Sequence, residues 1–268
     1  MRKYTLAIMG SGSLGSIIGE VISTDLLEQY ELLGVLSGRV ENAVGLANKL
    51  NCKAYKDIDE MLLDKPDYVI EAASPSVIKN TAVKILENKT NLIVLSVGAF
   101  ADEKFYAEVE NTARENNCRV HMASGAVGGF DVLRSAMLME DSSVSITTEK
   151  SPSSLKGAPA LEDRKLSQDR IEEVFNGSAK EAIKLFPKNI NVAVATALAT
   201  IGVDDTKVAI RSVPGMKSNK HSIKLVGDTV KVTVEIDAKP STDNPRSSTL
   251  AAWSVIALLK NLVSPITF

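Results

Sequence analysis

The residues Gly10-Ser11-Gly12-Ser13-Leu14-Gly15 carry the G-x-G-x-x-G spacing, and what that spacing can do is bind an anion. At a strand-to-helix turn, Gly10 permits the tight bend and Gly12 lets the backbone approach a pyrophosphate. Gly15 lets helix and strand pack closely, and the first helical residues, Ser13 and Leu14, offer backbone N–H groups to the phosphates. Ser16 stands where a nucleotide-triphosphate loop needs lysine, so ATP chemistry is excluded. About 20 residues on, an NAD site places a carboxylate against the ribose 2′-hydroxyl. This chain has Leu36-Ser37-Gly38-Arg39 instead. Ser37 can donate to a 2′-phosphate and Arg39 can pair with it bidentately, so NADP is the preferred cofactor and NAD a possible one.

Proton chemistry near neutral pH falls to two histidines, His121 and His221. His121 sits between Val120 and Met122 in a short apolar strand and reads as structural. His221 follows Lys217-Ser218-Asn219-Lys220 at the entry to a strand, where a general acid–base role and a structural one are both open. The run Ser124-Gly125-Ala126-Val127-Gly128-Gly129 either presents N–H groups to an anion or only turns the chain between domains. No histidine, cysteine and carboxylate spacing suits a metal, and no G-x-S-x-G elbow occurs. Cys52 and Cys118, without a histidine nearby in sequence, read as inert, and two cysteines make no disulfide framework.

The elements that must position these groups alternate in the first part of the chain. Strands are expected at 4–9, 31–36, 68–71, 91–97 and 119–122, and helices at 13–27, 40–50, 58–63, 77–87 and 102–116. That order is α/β: an N-terminal Rossmann dinucleotide-binding domain with a doubly wound parallel sheet. Beyond residue 123 the grammar changes. Strands are expected at 144–148, 208–213, 222–226 and 229–236, the last two joined by a Gly227-Asp228 turn. Helices are expected at 171–175, 179–186 and 191–201, which makes a C-terminal α+β domain with a mixed sheet. Residues 151–169 show no period and read as a surface loop or a lid. A last helix over 248–262 is announced by Asn244-Pro245. The domains are therefore 1–122, completed by 243–268, and 123–242.

Composition narrows the function classes. In 268 residues, 44% are hydrophobic and 24% charged, which suits a globular fold rather than disorder. Lys plus Arg total 31 and Asp plus Glu 33, a balance that argues against a nucleic-acid partner. The apolar runs at 192–203 and 250–259 fall short of the ~20 residues a membrane helix needs. A cytoplasmic protein without membrane association is expected.

Several segments together resemble the L-aspartate dehydrogenases. They are Glu71-Ala72-Ala73-Ser74-Pro75, Ser96-Val97-Gly98-Ala99, Ser124-Gly125-Ala126-Val127-Gly128-Gly129-Phe130-Asp131, Thr147-Thr148-Glu149-Lys150-Ser151-Pro152, Phe186-Pro187-Lys188-Asn189-Ile190-Asn191, Asn219-Lys220-His221 and Asn244-Pro245-Arg246. The resemblance implies a homodimer and NAD(P)-dependent oxidation of L-aspartate to iminosuccinate, which hydrolyses to oxaloacetate and ammonia, together with the reverse amination. The imine can feed NAD biosynthesis. The alternatives are a dehydrogenase of another amino acid or dicarboxylate, and a non-catalytic NADP(H) sensor. By the resemblance, His221 is the catalytic histidine, and Ala126 and Asn191 contact the cofactor, joined by Ala73 and Ser74. Ser124 and Asn219 are expected at the substrate, and Lys150, Lys217 and Lys220 are candidate carboxylate donors. The segment Ser212-Val213-Pro214-Gly215-Met216 departs from the Asp-Pro of the family.

Overall fold

The computed structural model describes residues 3–187, 190–239 and 248–267. In the first part, β1 (Tyr4–Met9), α1 (Ser13–Thr24), β2 (Tyr30–Leu36), α2 (Val40–Leu50), β3 (Lys53–Tyr55), α3 (Ile58–Leu63), β4 (Tyr68–Glu71), α4 (Pro75–Glu87), β5 (Asn91–Val94), α5 (Glu103–Glu115) and β6 (Val120–Met122) follow in order. The six strands form one sheet in the order β3-β2-β1-β4-β5-β6, and every pairing is parallel. This is the doubly wound dinucleotide-binding order, with its reversal between β1 and β4.

Local chemistry sets the helix ends. Asp57 caps α3 by accepting from Glu60 N at 2.9 Å, and Ser74 caps α4 just before Pro75 at its first position. Left-handed Asn51, Lys65, Lys89 and Asn117 end the helical stretches α2 to α5 and turn the chain into the next strand. The strands are apolar because helices cover both faces: Leu6, Ala7, Ile8, Val69, Ile70, Leu92 and Ile93 are all fully buried.

The second part holds α6 (Phe130–Met139), β7 (Ser143–Lys150), α7 (Pro152–Leu155), β8 (Glu172–Ser178), α8 (Ala179–Leu185), α9 (Asn191–Leu198), β9 (Lys207–Ser212), β10 (Asn219–Val226) and β11 (Lys231–Ala238). Its five strands order as β11-β10-β7-β9-β8. Only the β7–β9 pairing is parallel, so the sheet is mixed. The β10–β11 hairpin turns at Gly227–Val230, closed by Gly227 N donating to Val230 O at 2.9 Å. Finally α10 (Leu250–Val263) returns to the first part. Ala252, Val255, Ile256 and Leu259 of α10 join that core, and the Tyr30 hydroxyl donates to Leu259 O at 2.7 Å. The chain thus divides into two compact units. Unit 1 runs up to Ala123 and resumes at Ala251; unit 2 is Ser124–Leu250.

Several expectations are corrected. The stretch 171–175, expected as a helix, instead enters strand β8 from Glu172 on, which pairs antiparallel with β9 and packs Phe175 on Phe186 at a ring separation of 5.8 Å. Tertiary pairing overrides the helical preference of two adjacent glutamates there. Strand β3 is too short to show a period and was not expected. Strand β5 ends at Val94, and residues 97–101 form a 3₁₀ turn instead of more strand. The 151–169 segment is not periodless: Ser151 caps α7, and Leu155, Ala158 and Leu161 are buried. Strand β7 runs two residues further than expected, to Lys150, and β10 starts three residues earlier, at Asn219. His221 is therefore a strand residue and not a loop residue. The expected cap Asn244-Pro245 lies outside the described residues.

Candidate active-site residues in the two units

In unit 1 the candidate residues gather at the carboxyl ends of β1, β2 and β4. Gly10 holds φ +118°, a conformation that disfavours any side chain, and its N–H donates to Leu36 O at 2.8 Å. A Cβ there would run into the Ala72 carbonyl, just past β4, whose own N–H donates to Met9 O at 2.8 Å. The turns after β1 and β4 are thus in contact where the sheet order reverses, the place where such sheets bind ligands. Gly15 is buried, and a Cβ on it would strike the Gly10 carbonyl. Gly12 is exposed with open space around it, and no side chain caps α1 there. The first turn of α1, at Ser13 and Leu14, contains no acidic residue. A helix start built this way suits an external anion, so the turn fits a dinucleotide pyrophosphate.

The end of β2 adds donors beside this turn. Ser37 Oγ and Ser11 Oγ lie 2.7 Å apart, which ties the β2 end to the glycine turn, while Arg39 is exposed at the start of α2. Ser11 was not among the expected residues, although it occupies the first variable position of the glycine motif. After β4, the turn is fixed by Glu71, which is fully buried. Its carboxylate accepts from Ala73 N at 2.8 Å, from Ser96 N at 2.9 Å and from Ser96 Oγ at 2.7 Å. Burial raises the Glu71 pKa while these three donors pull it back. Ala73 is exposed beside that anchor, and Ser74 Oγ accepts from Val77 N at 3.4 Å as the cap of α4. Glu71 and Ser96 escape a reading by motif because each acts through the backbone of a neighbouring loop.

In unit 2 the site residues lie on one face of the mixed sheet. Along β7, β9 and β10 the buried positions alternate. At one end they are apolar: Val144, Ile146, Val208, Ile210, Ile223 and Leu225. At the other end the same face turns polar, with Thr148, Lys150, Ser212, Asn219 and His221, each at most 4% exposed. The register explains the grouping, because His221 opposes Thr148 and Lys150 opposes Ser212. Thr148 Oγ1 and His221 Nδ1 are 3.0 Å apart. Burial first, and then the charge of Lys150, push the His221 pKa down to about 3. Burial pushes the Lys150 pKa down to about 8. Ser212 Oγ and Asn219 Oδ1 are buried without a hydrogen-bond partner among the described residues. A row of buried polar groups with open hydrogen-bonding capacity is what a polar ligand satisfies.

The outer face of the same strands is an ordinary charged surface. Arg211 lies 3.6 Å from Glu149 and 3.3 Å from Glu173, and Lys220 lies 2.9 Å from Glu235. Lys220 is thereby separated from His221 by the period of the strand, and Lys217 is exposed. Of the three candidate lysines, only Lys150 shares the face of His221. Ser124 and Ala126 lie in the turn before α6, which ends at Gly129 with φ +72° against Val234 of β11. Asn191 opens α9, which packs against β7. His121 is in β6, in unit 1, 6.2 Å from the Tyr68 ring, as a structural residue would be. Thr148 and Ser212 were not expected at the site. Their signal is the period-2 pattern through Lys150, visible once β7 is extended past Thr148.

Comparison with known proteins gives the family and the fold. A family model described as "Aspartate dehydrogenase, C-terminal" matches residues 131–262, and one described as "Homoserine dehydrogenase, NAD binding domain" matches residues 10–123. The chain is 35% identical over 264 residues to the L-aspartate dehydrogenase of Methanococcus maripaludis, covering 97% of each. It is 36% identical over 266 residues to that of Methanosarcina mazei, again covering 97% of each. The crystal structure of aspartate dehydrogenase from Thermotoga maritima superposes with a TM-score of 0.79 at 30% identity over 100% of both chains. A hyperthermophilic archaeal homoserine dehydrogenase shares the fold, with a TM-score of 0.60 at 14% identity.

Proposed function

The chain belongs to the aspartate dehydrogenase family of NAD(P)-dependent oxidoreductases, and from that premise we propose that it oxidises L-aspartate to iminosuccinate and hydrolyses the imine to oxaloacetate and ammonia, with the amination as its reverse. The observation that carries the proposal is His221, buried among polar groups with Nδ1 tied to Thr148. When bound, the nicotinamide ring accepts the hydride that leaves the substrate Cα.

The residues of the chain then have separable tasks. Gly10, Gly12, Ser13, Leu14 and Gly15 hold the pyrophosphate, with Ala73 and Ser74 beside them. Ser37 and Arg39 receive the ribose end, and one hydroxyl with one guanidinium favours NADP over NAD. Ala126 and Asn191 are further cofactor contacts by the family resemblance, and Ser124 and Asn219 contact the substrate. His221 is neutral at working pH because burial opposes its charge. With the Nδ1 proton directed at Thr148 Oγ1, Nε2 offers its lone pair to a water. That water adds to the imine carbon while its proton passes to Nε2. The same proton then goes to the amine nitrogen, and ammonia departs as the carbinol hydroxyl gives its proton to Nε2 and the carbonyl forms.

Unit 2 leaves Leu138 90%, Met139 66% and Ile171 62% exposed, apolar surface that a second copy would cover in a cytoplasmic homodimer. Light scattering on the eluted protein reads that state directly. The activity is tested by nicotinamide absorbance with L-aspartate, using NADP and NAD side by side, and with oxaloacetate plus ammonia in reverse. His221→Ala lowers kcat by about 10²–10⁴-fold if the histidine is the acid–base group. Turnover of other amino acids but not aspartate, or an unchanged His221→Ala enzyme, refutes the reading.

A further inference from the structure

We propose that Ser11 is a positioning residue for cofactor choice: its hydroxyl donates to Ser37 Oγ and so commits the Ser37 O–H to a 2′-phosphate. This rests on the reading that Ser37 and Arg39 receive the ribose end of NADP. The two oxygens are 2.7 Å apart, and both side chains are partly buried. The backbone builds that contact. The β1–β2 register shifts by one residue between Leu6 and Ala7, so that Leu36 comes to oppose Met9. A shift of one residue exchanges the two faces of the strand beyond it, so the side that Ser37 presents to the glycine turn is decided there. Gly10 N then donates to Leu36 O at 2.8 Å, which locks the two turns side by side.

Proton counting gives the pair its polarity. Each hydroxyl carries one proton and two acceptor lone pairs. At 2.7 Å one proton lies between the oxygens, and a single O–H remains to point outward. When Ser11 is the donor, that outward proton belongs to Ser37. Ser37 adjoins Gly38, which has open space around it, and the exposed Arg39. A 2′-phosphate only accepts hydrogen bonds, whereas a ribose 2′-hydroxyl both donates and accepts. A hydroxyl that already accepts one hydrogen bond is the stronger donor, so Ser11 favours the phosphate and adds little for the hydroxyl. No carboxylate stands at 36–39 to reverse that preference.

The test is a binding assay that needs no turnover. Calorimetry on the cofactor-free protein compares 2′,5′-ADP with 5′-AMP, two probes that differ only in the 2′-phosphate. The wild type prefers 2′,5′-ADP. In Ser11→Ala that preference falls about 3–10-fold, the range for one neutral hydrogen bond, and 5′-AMP binds as before. Ser11→Thr keeps a hydroxyl and keeps the wild-type preference. In Ser11→Asp the carboxylate takes the Ser37 proton and repels the phosphate, so 5′-AMP becomes the tighter ligand. A merely structural defect of the turn would weaken both probes together and leave their ratio unchanged. A wild-type ratio in Ser11→Ala or in Ser11→Asp overturns the role of Ser11 even if NADP is the cofactor. A wild type that binds 5′-AMP as tightly as 2′,5′-ADP refutes the NADP reading, and the role of Ser11 falls with it.

Discussion

Replacing Thr148 by valine removes one hydroxyl from the unit 2 site and leaves the shape of the side chain nearly unchanged. The hydroxyl lies 3.0 Å from His221 Nδ1, and Thr148 and His221 are 2% and 3% exposed. Water therefore has little access to replace it. An imidazole nitrogen left buried without a partner costs about 1–3 kcal/mol. At about 1.4 kcal/mol per factor of ten, the ring loses between ~5-fold and ~150-fold of its preference for the working orientation and tautomer. If that orientation matters only when the imine is attacked, the whole loss falls on kcat. The expected result is a kcat lowered within that range and an unchanged NADPH dissociation constant, because the cofactor turn belongs to unit 1. Thr148→Ser restores the hydroxyl and most of the rate. Steady-state kinetics of the three proteins, with NADPH fluorescence titrations alongside, decide the matter. A Thr148→Val enzyme with wild-type kcat refutes the positioning role, and so does a Thr148→Ser enzyme as slow as Thr148→Val.

Three further outcomes follow from the geometry. Arg39→Ala weakens NADPH binding by about 10–150-fold, the range for a lost hydrogen bond to a charged group, and leaves NADH binding within a factor of two; equal loss for both cofactors removes the 2′-phosphate role. Gly10→Ala destabilises the protein by about 2 kcal/mol or more in chemical denaturation, because φ +118° and the Ala72 carbonyl both exclude a Cβ; an unchanged midpoint contradicts the turn geometry. The folded pKa of His221 is depressed to about 3, against ~6.5 in an unfolded chain. Its contribution to stability is therefore complete above about pH 6.5 and is lost as the pH falls toward 3, since the unfolded state then binds the extra proton. Thermal melts between pH 7 and 4.5 show a steeper decline for the wild type than for His221→Gln; parallel declines would mean that His221 is not protonated on unfolding in this range.

Much of the molecule is decided locally and is legible in the chain. The G-x-G-x-x-G turn, the absence of a carboxylate after β2, and the strand–helix alternation all depend on residues a few positions apart. Short-range sterics and hydrophobic period dictate them, and the parallel 3-2-1-4-5-6 sheet follows with right-handed crossovers. Gly10 is a glycine because of a turn, but the carbonyl that would meet its Cβ comes from Ala72, 62 positions away. What only the tertiary structure decided depends on pairing between distant strands. Ile171 to Phe175 looks helical by itself, and from Glu172 on it becomes strand because β9 offers it hydrogen bonds and Phe186 a packing surface. His221 moved from a loop to a strand, and that shift fixed its face, its depth and its neighbours at one stroke. Thr148, Lys150, Ser212 and Asn219 come from three separate strands, and a side-chain period of two leaves either face open until a register is chosen. The register that puts apolar residues on the inner face of β7, β9 and β10 also carries these polar groups inward at one end. Their burial, and the low pKa values of His221 and Lys150, are properties of that shared face and of no single segment.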